Sequence, residues 1–143
     1  MANALPNSAA VLASAVETIR PFVPRSQLHV MLLALGGEEG EFFREQICEL
    51  ATVITHMAVT GDTDGQGDKA VVQLHYFISG FDWHITEKDV DGGTRQAFGL
   101  ADMGSPELGY ICIDELLTIK GMQLDLHWTP CTLEAVWAAK GKR

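Results

Sequence analysis

The stretch Val71-Val-Gln-Leu-His-Tyr-Phe-Ile-Ser-Gly80-Phe-Asp-Trp-His-Ile-Thr-Glu87 decides the fold. In it, Val72, Leu74, Tyr76 and Ile78 alternate with Val71, Gln73, His75 and Phe77, a period of two that specifies a half-buried strand. Ser79-Gly80-Phe81-Asp82 carries turn chemistry, and a second extended run begins at Trp83. A tight turn over residues 79–82 places position 77 opposite 84. His75 and His84 then share one sheet face on a diagonal.

Downstream, Asp91-Gly92-Gly93 is a second hairpin signal. It leads to strands predicted over Gln96–Asp102 and Leu108–Ile113, a short helix over Asp114–Lys120 stopped by Gly121, a strand over Met122–Trp128 and a helix over Thr132–Ala139. Upstream, residues 60–69 form a polar, Gly-rich loop that is expected to be mobile. Before it, Phe43, Ile47, Leu50, Ile54 and Met57 recur at helical spacing, which predicts a helix over Glu38–Met57 whose stripe packs on the sheet. Glu38, Glu39 and Glu41 then occupy its first turn, where the helix dipole favours acids. Two further helices are expected, one capped by Asn7 or Ser8 and closed by Pro21 and Pro24, the other over Arg25–Leu35. The reading is a single α+β domain: helices over residues 1–58 packed on a mostly antiparallel sheet of about five strands over 70–143, with a short C-terminal helix. A chain of 143 residues suits one core.

Charge narrows the function. The chain has 19 acids and ten Lys or Arg, a net of −9. Residues 38–125 hold 17 of the acids and five of the bases, a local net of −12. Such a field repels phosphate and attracts basic surfaces, so direct nucleic-acid binding is disfavoured. Three cysteines, Cys48, Cys112 and Cys131, make neither an even disulfide set nor a C-x-x-C pair. Met1 to Ala15 lacks the basic start of a signal peptide and reads as a capped amphipathic helix. No apolar run reaches the length of a membrane span. A cytoplasmic protein that does not engage membranes is expected.

The ordered set Trp83-x-Ile85-Thr86-Glu87, Phe98-Gly99-Leu100-x-Asp102-x-Gly104, Glu107-Leu108-Gly109-Tyr110, Glu115-Leu116, Asp125-Leu126-His127-Trp128 and Pro130 resembles an uncharacterised domain family. Members of that family are encoded on plasmids, integrative elements and phages. The resemblance runs from Val71 to Val136. It implies a mobile-element setting, where small proteins act on host defence or plasmid upkeep, and it carries no chemistry. Where the family pattern has a Ser before Asp114-Glu115-Leu116, this chain has Cys112. A capping box with Glu115 is thereby lost, at a cost of about 1 kcal/mol.

Each candidate site also has a structural explanation. Asp62-x-Asp64-x-Gln66-Gly67 matches the first half of a calcium loop, but Gln73 stands where the bidentate Glu belongs, which favours a solvated turn. His75, His84 and His127 would supply three imidazoles for zinc, but no accompanying metal motif supports this over ordinary strand histidines. Asp125, His127 and Cys131 admit a Cys–His–Asp reading, with Pro130 interrupting the approach; a packed thiol explains Cys131 better. Glu87, Asp102 and Glu107 could pair for acid–base work or simply be surface acids. Trp83, Tyr110 and Trp128 are expected in the core.

No catalytic residue, metal or cofactor is therefore assigned. The expected activity is that of an acidic interaction protein that binds a basic protein surface of a nucleic-acid-handling host system, in the manner of anti-CRISPR or antirestriction inhibitors. Glu45, Glu49, Asp89, Asp91, Glu87, Asp102 and Glu107 are its candidate contacts. The alternatives are a small metal-binding domain or enzyme built on His75, His84 and His127, and a self-associating domain without activity, for which a homodimer is the natural form.

Overall fold

The computed structural model describes residues 8–141, and the chain divides into two compact units at His56/Met57.

The first unit is helical. Helix α1 spans Ala9–Ile19, α2 Arg25–Ala34 and α3 Gly40–His56. Ser8 caps α1, its hydroxyl accepting from the Val11 N–H at 3.3 Å; Asn7 lies outside the described residues. A 3-10 turn over Arg20–Phe22 carries Pro21, which donates no backbone hydrogen bond and so ends α1. Helix α3 starts at Gly40, where the chain is tight: a Cβ at Gly40 would overlap the Leu35 carbonyl oxygen. Glu38 and Glu39 consequently precede the helix, and only Glu41 occupies its first turn. The α3 stripe is centred on Ile47, Ala51 and Ile54, all buried, and α3 packs along α1. Phe43 and Leu50 flank the stripe half-buried, and Met57 is buried just beyond the helix end.

The second unit holds the sheet. Its elements are β1 Val71–Val72, β2 Leu74–Ile78, β3 Phe81–Glu87, β4 Ala97–Asp102, β5 Pro106–Ile111, α4 Ile113–Leu117, β6 Gln123–Leu124, β7 Cys131–Thr132 and α5 Leu133–Ala139. Five strands form an antiparallel sheet in the order β5-β4-β3-β2-β6, and β1 pairs with β7 in a separate two-stranded ribbon. The architecture is α+β, as the alternation and the helical stripes required.

Two local features set the register. Strands β2 and β3 are joined by only two residues, Ser79 and Gly80, with φ of 47° and 86°. Two successive positive φ values make the mirror-image turn whose twist matches paired strands. Phe77 therefore pairs with Asp82 and His75 with His84. The turn over 79–82 expected from sequence is corrected to a shorter one. The shift is two residues, so the side chains stay on their faces. The second feature is a bulge between Ile85 and Glu87 opposite β4. Beside it, Gly99 pairs with Ile85, and a Cβ there would overlap the His84 carbonyl oxygen, so only glycine fits.

Leu74, Tyr76, Trp83 and Ile85 are buried on one face of β2 and β3. On the other face, Leu100 joins Ala70, Val72, Leu133 and Val136 in a small core under α5, with Trp128, Cys131 and Trp137 packed at its edge. Two expectations are corrected. Residues 122–128 contribute only the two-residue β6, the chain turning at Asp125. Tyr110 is exposed on β5, meeting Phe98 edge-on at 5.5 Å, rather than lying in the core.

The segment 60–69 is a run of turns ending in a 3-10 turn at Gly67–Lys69. The buried Glu87 carboxylate anchors it, accepting from the backbone N–H groups of Gly61 at 3.0 Å and Thr63 at 2.7 Å and from the Thr63 hydroxyl.

Candidate functional site

Because β2 and β3 pair as they do, His75, Phe77, Asp82 and His84 project from one face of the sheet, and β4 adds Asp102 opposite Asp82. The His75 ring lies between two carboxylates. Its Nε2 is 2.5 Å from Asp82 Oδ1, and its Nδ1 is 3.0 Å from Asp125 Oδ2. Asp125 is placed by the turn after β6, where its own N–H donates to the His75 carbonyl and its Oδ1 accepts from the His127 N–H. The His84 ring stacks on His75 at 4.6 Å and 13° from parallel, and Trp128 leans on both, with centroids 5.0 Å and 5.5 Å away. Trp128 is held in place because its Nε1–H donates to the Val72 carbonyl.

Lys140, at the end of α5, closes the cluster. Its ammonium donates to Asp102 Oδ2 at 2.7 Å and lies 3.6 Å from Asp82 Oδ2. Three half-buried carboxylates, Asp82, Asp102 and Asp125, thus meet one Lys and two imidazoles. His84 is buried, and its Nδ1 makes no hydrogen bond among the described residues. Burial, together with the charges of His75 and Lys140, lowers its pKa to about 4, so His84 is neutral at physiological pH. An open cavity of about 340 Å³ lined by His75, Phe77, Gly80, Phe81, Asp82 and Asp125 gives the cluster access to solvent. A larger cavity, about 540 Å³, lies between α1 and α3, but no charged pair converges there: Thr18 and Thr52 turn their hydroxyls onto helix carbonyls.

The structure brings together two of the three histidines singled out in the sequence. His127 is exposed and lies outside the stack, and Asp82 completes the cluster of potential ligands in its stead. The Cys–His–Asp arrangement, already disfavoured against a packed thiol, does not assemble among these residues. The Asp125 carboxylate meets the His75 ring and only the backbone N–H of His127, while Cys131 sits against the small apolar core with burial pushing its thiol pKa up. Glu87, Asp102 and Glu107 do not converge. Glu87 is buried on the loop backbone and so does not face solvent, Asp102 pairs with Lys140, and Glu107 is exposed on β5 opposite Ala101, on the other side of the sheet. Of the other candidate contacts, Glu45 and Glu49 are exposed on α3 and Asp91 is exposed in the β3–β4 loop. Asp89 is half-buried and accepts from the Gln96 N–H at 3.0 Å. The Asp62–Gln66 segment carries no group of converging ligands; Asp62 caps the Val59 N–H.

Sequence reading missed Asp82 and Lys140. A turn over residues 79–82 takes in Asp82, and the Ser79-Gly80 pair is the signal that returns it to the strand. Nothing in the sequence pointed from Lys140 to β3 and β4, 38 residues or more away.

Among the described residues, no helix is long and apolar enough to cross a membrane. Comparison with curated proteins and with solved structures finds no match. A family model does match, over residues 44–139, which include β1–β7, the His75–His84 stack, Asp82, Asp125 and Trp128. The chain belongs to that family, described as Protein of unknown function (DUF2958).

Proposed function

We propose that this protein is an accessory protein of mobile genetic elements that acts in the cytoplasm by binding a basic surface of a host nucleic-acid-handling system, in the manner of anti-CRISPR or antirestriction inhibitors. The observation that carries the reading is where the charge lies. Within residues 38–125, eleven of the 17 acids are exposed, against only Lys69, Arg95 and Lys120 among the five bases. The negative excess is therefore presented to solvent rather than neutralised inside the fold. A surface of this sign excludes nucleic acid itself and competes for the proteins that hold it. Glu45, Glu49, Asp91 and Glu107 are the exposed members of the candidate set, and they form its contact residues.

The β5 edge adds a place to dock. Strand β5 pairs with β4 on one side only and carries Glu107, Leu108 and Tyr110 exposed. Acids beside a few exposed apolar side chains suit a contact that is steered electrostatically and then packed.

The test is capture of partners from a bacterial lysate by the immobilised protein at low and high salt, repeated with Glu45→Lys, Glu49→Lys, Asp91→Lys and Glu107→Lys combined. The reading expects a basic, nucleic-acid-handling partner that is lost at high salt and lost by the variant. An acidic partner, or one retained in molar salt by the variant, overturns it.

A further inference from the structure

We propose that His75, Asp82 and His84 form a binding site for one divalent transition-metal ion of the zinc class, with Asp125 as the outer carboxylate that orients His75.

Four observations converge on this site. The first is reach: one ring nitrogen of each histidine and one carboxylate oxygen of Asp82 all lie within 4.8 Å of one another. A four-coordinate ion with bonds of 2.0–2.2 Å holds neighbouring donors about 3.4 Å apart, so the donors are already near the spacing that an ion imposes. The second is the hydrogen bond behind His75. Histidines that bind metal through one nitrogen usually donate from the other to a carboxylate, which fixes the tautomer and raises basicity. Asp125 stands in that position at Nδ1, leaving Nε2 on the side of Asp82.

The third is His84. A buried ring nitrogen without a partner is costly in a folded protein, and its Nδ1 is such an atom. The rings of His75 and His84 lie nearly parallel, so sharing an ion requires one to turn. Asp125 holds His75 at Nδ1, the nitrogen turned away from the site, whereas no hydrogen bond among the described residues holds His84 Nδ1. His84 is therefore the ring that turns. The fourth is charge. Three carboxylates, Asp82, Asp102 and Asp125, gather around the two imidazoles against a single ammonium, that of Lys140, and this excess of anionic groups favours a cation.

Two imidazoles and one carboxylate are a donor set suited to zinc and its first-row neighbours, and three protein ligands leave a coordination position for water or a ligand oxygen. The 340 Å³ cavity against His75 and Asp82 supplies the entry path and the room for that ligand.

The experiment uses the full chain without an affinity tag, stripped with a chelator and titrated with Zn²⁺ by calorimetry and with Co²⁺ by visible absorption. One equivalent of each is expected, with Zn²⁺ displacing the Co²⁺ bands. Asp82→Asn and His84→Ala should each weaken binding at least tenfold, and Asp125→Asn by about 10- to 100-fold with the stoichiometry unchanged. His127→Ala, an exposed control, should bind as the wild type does. Circular dichroism checks that each variant folds; should His84→Ala fail to fold, Asp82→Asn decides. No saturable uptake of either ion overturns the proposal. So does uptake that persists undiminished in the folded ligand variants, because surface histidines would then be the ligands.

Discussion

His75 on β2 and His84 on β3 stand directly opposite each other, their rings 4.6 Å apart and 13° from parallel. That juxtaposition is a product of the two-residue Ser79-Gly80 turn, which fixes the register. From it follows the position of Asp82 beside His75; the separate β3–β4 register sets Asp102 opposite Asp82, where Lys140 docks. The glycine at position 99 preserves it, by letting β4 lie close against the His84 backbone.

The first prediction concerns that close approach. Gly99→Ala should destabilise the fold by about 1–3 kcal/mol, since β3 and β4 must part to admit the methyl. Its cross-strand partner Gly109 has no atom within 4 Å of a built Cβ, so Gly109→Ala should cost far less. Urea melts of the two variants make the comparison, and equal losses would show that strand spacing at Gly99 is not constrained.

Helix α3 supplies the second. Ile47 and Ile54 are 0% and 2% exposed, so truncation of either to Ala should cost about 2–5 kcal/mol. Leu50 is only half-buried, and Leu50→Ala should lose less. A Leu50 variant weaker than both isoleucine variants would mean that the buried stripe is centred elsewhere.

The third prediction is local to Glu87. Its carboxylate takes three hydrogen bonds from Gly61 and Thr63, and each bond to a charged acceptor contributes roughly 1.5–3 kcal/mol. Glu87→Ala should therefore unfasten the 60–69 segment. Amide exchange at Gly61 and Thr63 should accelerate, and trypsin should cut sooner after Lys69. Glu87→Gln, which keeps one acceptor oxygen, should fall between wild type and Ala.

Fourth, the thiols of Cys48 and Cys131 should react slowly. Burial raises the pKa of both above the ordinary thiol value, so at neutral pH less of each is thiolate, the nucleophilic form. Alkylation at pH 7.5 should be slower for these two than in the unfolded chain, and should speed up as pH rises towards and past the raised pKa. Rates in the native protein that match the denatured chain would rule out the packed-thiol account of Cys131.

Much of this fold was legible in residue patterns. The change of period at Val71 and the stripe through Ile47 and Ile54 gave the α+β class and the order of elements. The register was not legible, because two positive φ values at Ser79-Gly80 were read as part of a longer turn. Face assignment survived that error, since a shift of two residues leaves the pleat unchanged. Extended-looking residues from Asp125 to Trp128 were mistaken for strand, as apolar alternation does not reveal that Asp125 caps a turn and bonds His75. Lys140 carries no signal in the sequence, because a single ion pair across 38 residues leaves no periodic trace. Glu87 reads in the sequence as one more acid at a strand end, and the backbone donors of Gly61 and Thr63 together with the Thr63 hydroxyl explain why it is buried.

The proposed function meets its most direct test in living cells. Phage plaque formation is counted on hosts that carry defined restriction or CRISPR systems, with and without this protein expressed, and with the quadruple variant Glu45→Lys, Glu49→Lys, Asp91→Lys and Glu107→Lys. The account predicts that the wild-type protein restores plaque formation on at least one such host, and that the folded variant does not. Plaque counts that stay unchanged on every restricting host, or protection that the variant delivers equally well, would contradict it.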